Sequence, residues 1–117
     1  MTVNAENLSQ RKEDWQKILG VWDRVVAYIN DPATHADAIK IMSQRAGISA
    51  EEYTPFVEGT KFLNIQDNKT VFAKGTGFDS IYGSSYHVNE FNIKHGIYPE
   101  KIDVDSLISG EVVETAK

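Results

Sequence analysis

The chain has no cysteine among its 117 residues, and only three prolines, three histidines and two methionines. The missing cysteine excludes thiol catalysis, disulfides and thiolate-held zinc together. It leaves the cellular compartment open. No apolar run approaches the roughly 18 residues of a membrane span. No charged leader followed by an apolar stretch opens the chain, so it shows no secretory signal pattern. Basic residues are few and scattered, and the net charge is −5. A nucleic-acid surface needs clustered Lys and Arg to displace counterions, so that class is excluded.

The present residues describe one ordinary domain of 41% hydrophobic and 25% charged residues. Residues 1–8 read as a polar, disordered leader. Residues 9–117 read as a single helical domain. Trp15, Ile18, Leu19, Trp22, Val25, Val26 and Ile29 recur at i, i+3, i+4 and i+7. That period predicts an amphipathic helix over about Ser9 to Asn30, capped by Ser9 or Asn7. Trp15, Trp22 and Ile29 are its expected core contacts.

Asp31-Pro32 breaks the pattern and is expected to start a second helix, with Asp31 as cap and Pro32 in the first turn. Ala38, Ile39, Met42 and Ala46 form its expected buried stripe. Gly47 sits where a left-handed residue ends a helix. Ser49-Ala50-Glu51-Glu52 is a capping box that opens a third helix. Its apolar side is Tyr53, Phe56 and Val57, and Pro55 should distort it. Residues 61–65 read as a short extended piece, and 66–72 as one or two helical turns. Gly75-Thr76-Gly77 reads as a flexible loop.

A further helix is expected from about Asp79 to His95, with Gly96 just beyond it. Ile81, Ser84, Val88, Phe91 and His95 share one of its faces. Asp103-Val104-Asp105 reads as a loop, and Ser109 as the cap of a last short helix through Val112 and Val113. The sum is a mainly α fold of about five or six helices.

Chemistry is sparse. His87 and His95 stand eight apart, more than two turns along a helix, and cannot share one metal. The acid pairs Glu51/Glu52, Asp103/Asp105 and Glu111/Glu114 each have a local structural account. None faces a second carboxylate across a visible cleft, as a glycosidase requires. No serine lies in a Gly-x-Ser-x-Gly elbow. Gly75-Thr76-Gly77 lacks the Lys-Ser or Lys-Thr of a phosphate loop. The expectation is a protein that is not an enzyme, with no catalytic residue, metal or cofactor.

Longer phrases carry a resemblance. They are Tyr28-Ile29-Asn30-Asp31-Pro32, then Ala36-Asp37-Ala38-Ile39-Lys40-Ile41-Met42-Ser43, then Gly47-Ile48-Ser49-Ala50-Glu51-Glu52-Tyr53. Gly59-Thr60-Lys61-Phe62-Leu63, Asp67-Asn68-Lys69 and Phe72 follow. Ser80-Ile81-Tyr82-Gly83-Ser84 then leads to Phe91 and His95-Gly96-Ile97. Over roughly residues 9 to 115 this resembles the C-terminal third of periplasmic substrate-binding proteins of ABC transporters. The branch is the one handling nitrate, sulfonates, taurine and thiamine precursors. The sheets of the two lobes and most ligand-binding segments of that family are absent from this chain.

The resemblance implies a role in solute capture for ABC import, a periplasmic location, and the rest of the binding protein or an ABC permease as partner. It offers Asp79 and Tyr82 as ligand contacts. It also implies that the chain alone binds no solute well, and that uncovered apolar surface drives homodimer formation. The alternative reading is a free-standing helical protein–protein interaction module.

Overall fold

The computed structural model describes residues 2–116, and Met1 and Lys117 lie outside it. Among the described residues the fold is all helical, with eight helices and no strand. They are α1 (Ala5–Gln10), α2 (Lys12–Asn30), α3 (His35–Ala46), α4 (Ala50–Glu58), α5 (Ile65–Val71), α6 (Ile81–Lys94), α7 (Val104–Leu107) and α8 (Glu111–Thr115).

Most boundaries are set by local hydrogen bonds. Asn4 accepts from the backbone of Glu6 and Asn7 and so starts α1 within the expected leader. Neither Ser9 nor Asn7 is a cap. The first long helix is instead divided at Arg11, whose backbone leaves the helical region at φ −125°. Asp31 also differs from expectation. Its carboxylate accepts from Ala33, and its carbonyl from Thr34 and His35. A full turn at residues 32–34 therefore precedes α3, which begins at His35 rather than Pro32.

Gly47 ends α3 at φ 75°, in the left-handed region where only glycine is unstrained. The Ser49–Glu52 capping box is formed in both directions. Pro55 is accommodated without ending α4, which runs on to Glu58. A second capping box, Asn64 with Asp67, opens α5. Ser80 caps α6, and Gly96 follows its end at φ 69°. The expected 103–105 loop is in part α7. α8 follows Gly110, and Ser109 gives it no side-chain cap.

The core is small. Ile29 of α2, Ala38 and Ile39 of α3 and Val57 of α4 form one buried cluster, flanked by Met42, Tyr53 and Phe62. Ala46 lies exposed, and Ser43 takes the buried place, its hydroxyl donating to the Lys40 carbonyl. α8 lies against α2 and α5. There Val112 and Val113 are buried, while Gln16 donates to Thr115 at 2.9 Å and Lys69 to the Ala116 carbonyl at 2.9 Å. α6 packs mainly on α7 and on its own preceding loop.

The result is an open shape. Its radius of gyration is 17.3 Å, against about 13 Å for a compact domain of this length. Its accessible surface is 8550 Å², against roughly 6,400 Å² for a compact monomer of 13.1 kDa.

Candidate docking surface

The surplus surface is apolar in places that matter. Ile18, Val21, Val25 and Tyr28 are 41–49% exposed along one edge of α2. The inner edge of the same helix is used: Val26 and Ile29 are buried, and the two tryptophans are tied down. Trp15 donates its indole N–H to the Asn7 carbonyl at 3.1 Å, and Trp22 to the Leu63 carbonyl at 2.9 Å. Trp22 nevertheless remains 39% exposed. It anchors α2 to the 60–64 segment and is not the buried core residue its spacing implied. Asp23 adds a second tie by accepting from the Ile65 backbone N–H at 2.9 Å.

On α6 the expected face is outward only toward its C-terminal end, and Ile81 and Ser84 are half-buried. Val88 and Phe91 are each 56% exposed. Phe78 stacks on His87 at 4.5 Å, and Phe91 lies over His95 at 4.2 Å. His87 Nε2 donates to the Thr76 carbonyl at 3.1 Å. The buried side of α6 is Tyr82 and Gly83.

Gly83 explains how α6 meets its loop. A Cβ there would stand 2.1 Å from the Gly77 carbonyl oxygen. The 75–77 segment is thus wedged against the helix backbone, which argues against its use as a free hinge.

One polar network closes the far end. Lys74 pairs with Asp105, which also accepts from the Tyr86 hydroxyl at 2.8 Å. The hydrogen bonds from Lys74 and Tyr86 hold the Asp105 carboxyl below the ordinary carboxylate range. The same carboxylate raises the pKa values of Lys74 and Tyr86 through its hydrogen bonds to them. Asn89 mimics a strand partner for Ile102, donating to its carbonyl at 2.8 Å and accepting from its N–H at 3.2 Å. Two shallow clefts of about 250 and 240 Å³ flank this junction, sharing Asn89, Ile102 and Val104.

Asp79 and Tyr82 line neither cleft. Asp79 is exposed in the loop before α6. Tyr82 is buried, its hydroxyl donating to the Ile108 carbonyl at 3.3 Å and its ring 5.3 Å from the Lys74 ammonium. In the described fold Tyr82 is a structural tether.

Among the described residues no group of three His, Cys, Asp or Glu side chains is placed to hold a metal ion. No described helix is long and apolar enough to cross a membrane. In comparisons with known proteins, the chain matches no family model, no curated protein and no solved structure.

Proposed function

We propose that the chain is the C-terminal helical part of a solute-binding protein for ABC-type import, completed by α/β lobes that cover its apolar faces. The solute class is nitrate, sulfonate, taurine or thiamine precursor, and the location is periplasmic. The carrying observation is the surface excess of about 2,100 Å² over a compact monomer of the same mass. A standard interface covers about 800 Å² on each partner, so this excess corresponds to a large and obligate cover. The phrases that resemble the binding-protein family supply the identity of that cover. In this reading the segment supports the lobes and has no catalytic role, and the remainder of the binding protein is its partner, with the ABC permease beyond it.

The capped helices and the small α2–α3–α4 core favour a second reading, a free-standing helical interaction module. The test is the longer reading frame. The coding sequence 5′ of the Met1 codon is read and expressed with this segment, and nitrate, taurine and short alkanesulfonates are titrated by calorimetry. Two α/β lobes in frame and micromolar binding of one solute support the binding-protein reading. A chain that begins at Met1, stays monomeric and binds none of these solutes overturns it.

A further inference from the structure

The chain leaves its helical body and returns to it at one place. The body is α1 to α5 with α8, since α8 packs on α2 and α5 after the excursion through α6 and α7. α6 and α7 pack on each other, and neither packs extensively on a helix of the body. Residues 74–108 thus form an inserted arm, joined to the body by two crossings of the chain. The crossings lie close together. A Cβ at Gly110 would stand 3.5 Å from that of Phe72.

Hydrogen bonds mark where each crossing changes hands. Ala73 donates its N–H to the Thr70 carbonyl of α5 at 3.2 Å, on the body side. Its own carbonyl accepts from the Ser80 hydroxyl at 2.7 Å, on the arm side. On the return, the Ile108 carbonyl accepts from Tyr82 of the arm at 3.3 Å, and the Gly110 carbonyl accepts from Glu114 of α8 at 2.9 Å. No hydrogen bond among the described residues holds Ser109, which is exposed. Each crossing therefore passes from arm to body at a single small residue, Ala73 in one and Ser109 in the other.

The arm is firm within itself. Lys74 and Tyr86 both bind the Asp105 carboxylate, Gly83 is wedged on residues 76 and 77, and Asn89 holds both backbone groups of Ile102. Two firm bodies joined by a small contact are expected to move relative to one another. Hinges are a few loop or element-terminal residues that absorb the change in φ and ψ. We infer that the α6–α7 arm turns as one body about Ala73 and Ser109. The turn changes the placement of the exposed Val88 and Phe91 of α6 relative to the exposed Ile18, Val21 and Val25 of α2. The fold then presents its two apolar faces at more than one angle. The hinge belongs to this chain's own fold and does not depend on the lobes proposed to complete it.

The test measures amide residual dipolar couplings of the isotope-labelled 117-residue chain in a weakly aligning medium. Couplings from α2 to α5 and α8 should fit one alignment tensor. Those from α6 and α7 should fit a second, of reduced magnitude. Ser109→Pro then stiffens one pivot. Proline fixes φ and removes an N–H that has no partner here. Ile108, at φ −111° and ψ 125°, already has the extended backbone that a following proline demands. This variant should raise the alignment of the arm toward that of the body.

One tensor for the whole parent chain overturns the inference, because arm and body are then rigidly joined. Couplings from α6 and α7 that share no tensor also overturn it, because the arm is then not one body. An arm alignment that Ser109→Pro leaves unchanged removes Ser109 as a pivot and overturns it as well. The comparison within the parent chain decides even if Ser109→Pro perturbs folding.

Discussion

Trp22 reaches 41 residues along the chain to donate its indole N–H to the carbonyl of Leu63, at 2.9 Å. That bond, rather than deep burial, fastens α2 to the segment before α5. Trp22→Phe removes the donor and keeps most of the ring. It should lower stability by about 0.5–1.5 kcal/mol. Trp22→Ala also loses packing, and about 2 kcal/mol is expected, below the usual 3–5 of a fully buried aromatic. Urea melts of the two variants measure both.

Two isoleucines of α2 should behave oppositely. Ile29 is 4% exposed, and Ile18 is 44% exposed. Ile29→Ala should cost about 2–4 kcal/mol by leaving a cavity among Ala38, Ile39 and Val57. Ile18→Ala should stay within about 0.5 kcal/mol in the isolated chain. A large loss at Ile18 in dilute solution would show that its face is already covered there.

Two helical glycines make a second contrast. A Cβ at Gly20 meets nothing within 4 Å, whereas one at Gly83 strikes backbone. Gly20→Ala should therefore stabilise by about 0.5–1 kcal/mol through helix propensity. Gly83→Ala must push the 75–77 loop away and should cost about 1–3 kcal/mol or more. Thermal melts at one protein concentration separate them.

The Lys74–Asp105–Tyr86 network gives stability a shape in pH. The carboxyl pKa of Asp105 is depressed on folding, so its contribution is present above the unfolded value near 4 and lost as pH falls through the folded one. Glu52 follows the same sign, held down by the Ser49 backbone N–H and hydroxyl. The pKa values of Lys74 and Tyr86 are raised, so their contribution is present below about 10 and lost at higher pH. Asp105→Asn should be less stable than the parent near neutrality and converge with it below about pH 4. Urea midpoints from about pH 3 to about pH 11 test this, and a constant gap throughout would count against the network.

Much of the local structure is legible in the sequence. Ser49 with Glu52, Gly47 and Gly96 mark helix ends by chemistry that acts within a few residues, and each does so here. Asp31 misled because an Asx-type turn and a helix cap use the same side-chain oxygen. The residues that follow decide between them, and here Pro32 to Thr34 form a separate turn. α7 was missed because its four residues carry too little periodicity to register.

The site was far less legible. Periodicity reports that α2 is apolar over a wide arc, and it placed Trp22 in the core. It cannot say which half of that arc another element covers. The sequence alone determined the helical class, the Ser49–Glu52 capping box and the glycine ends at Gly47 and Gly96, since those depend on spacing and on hydrogen bonds within a turn or two. Only the tertiary structure decided that Val26 and Ile29 face inward while Ile18, Val21 and Val25 face out. Burial is a property of neighbours distant in the chain, and among the described residues those neighbours bury Val26 and Ile29 and leave Ile18, Val21 and Val25 exposed.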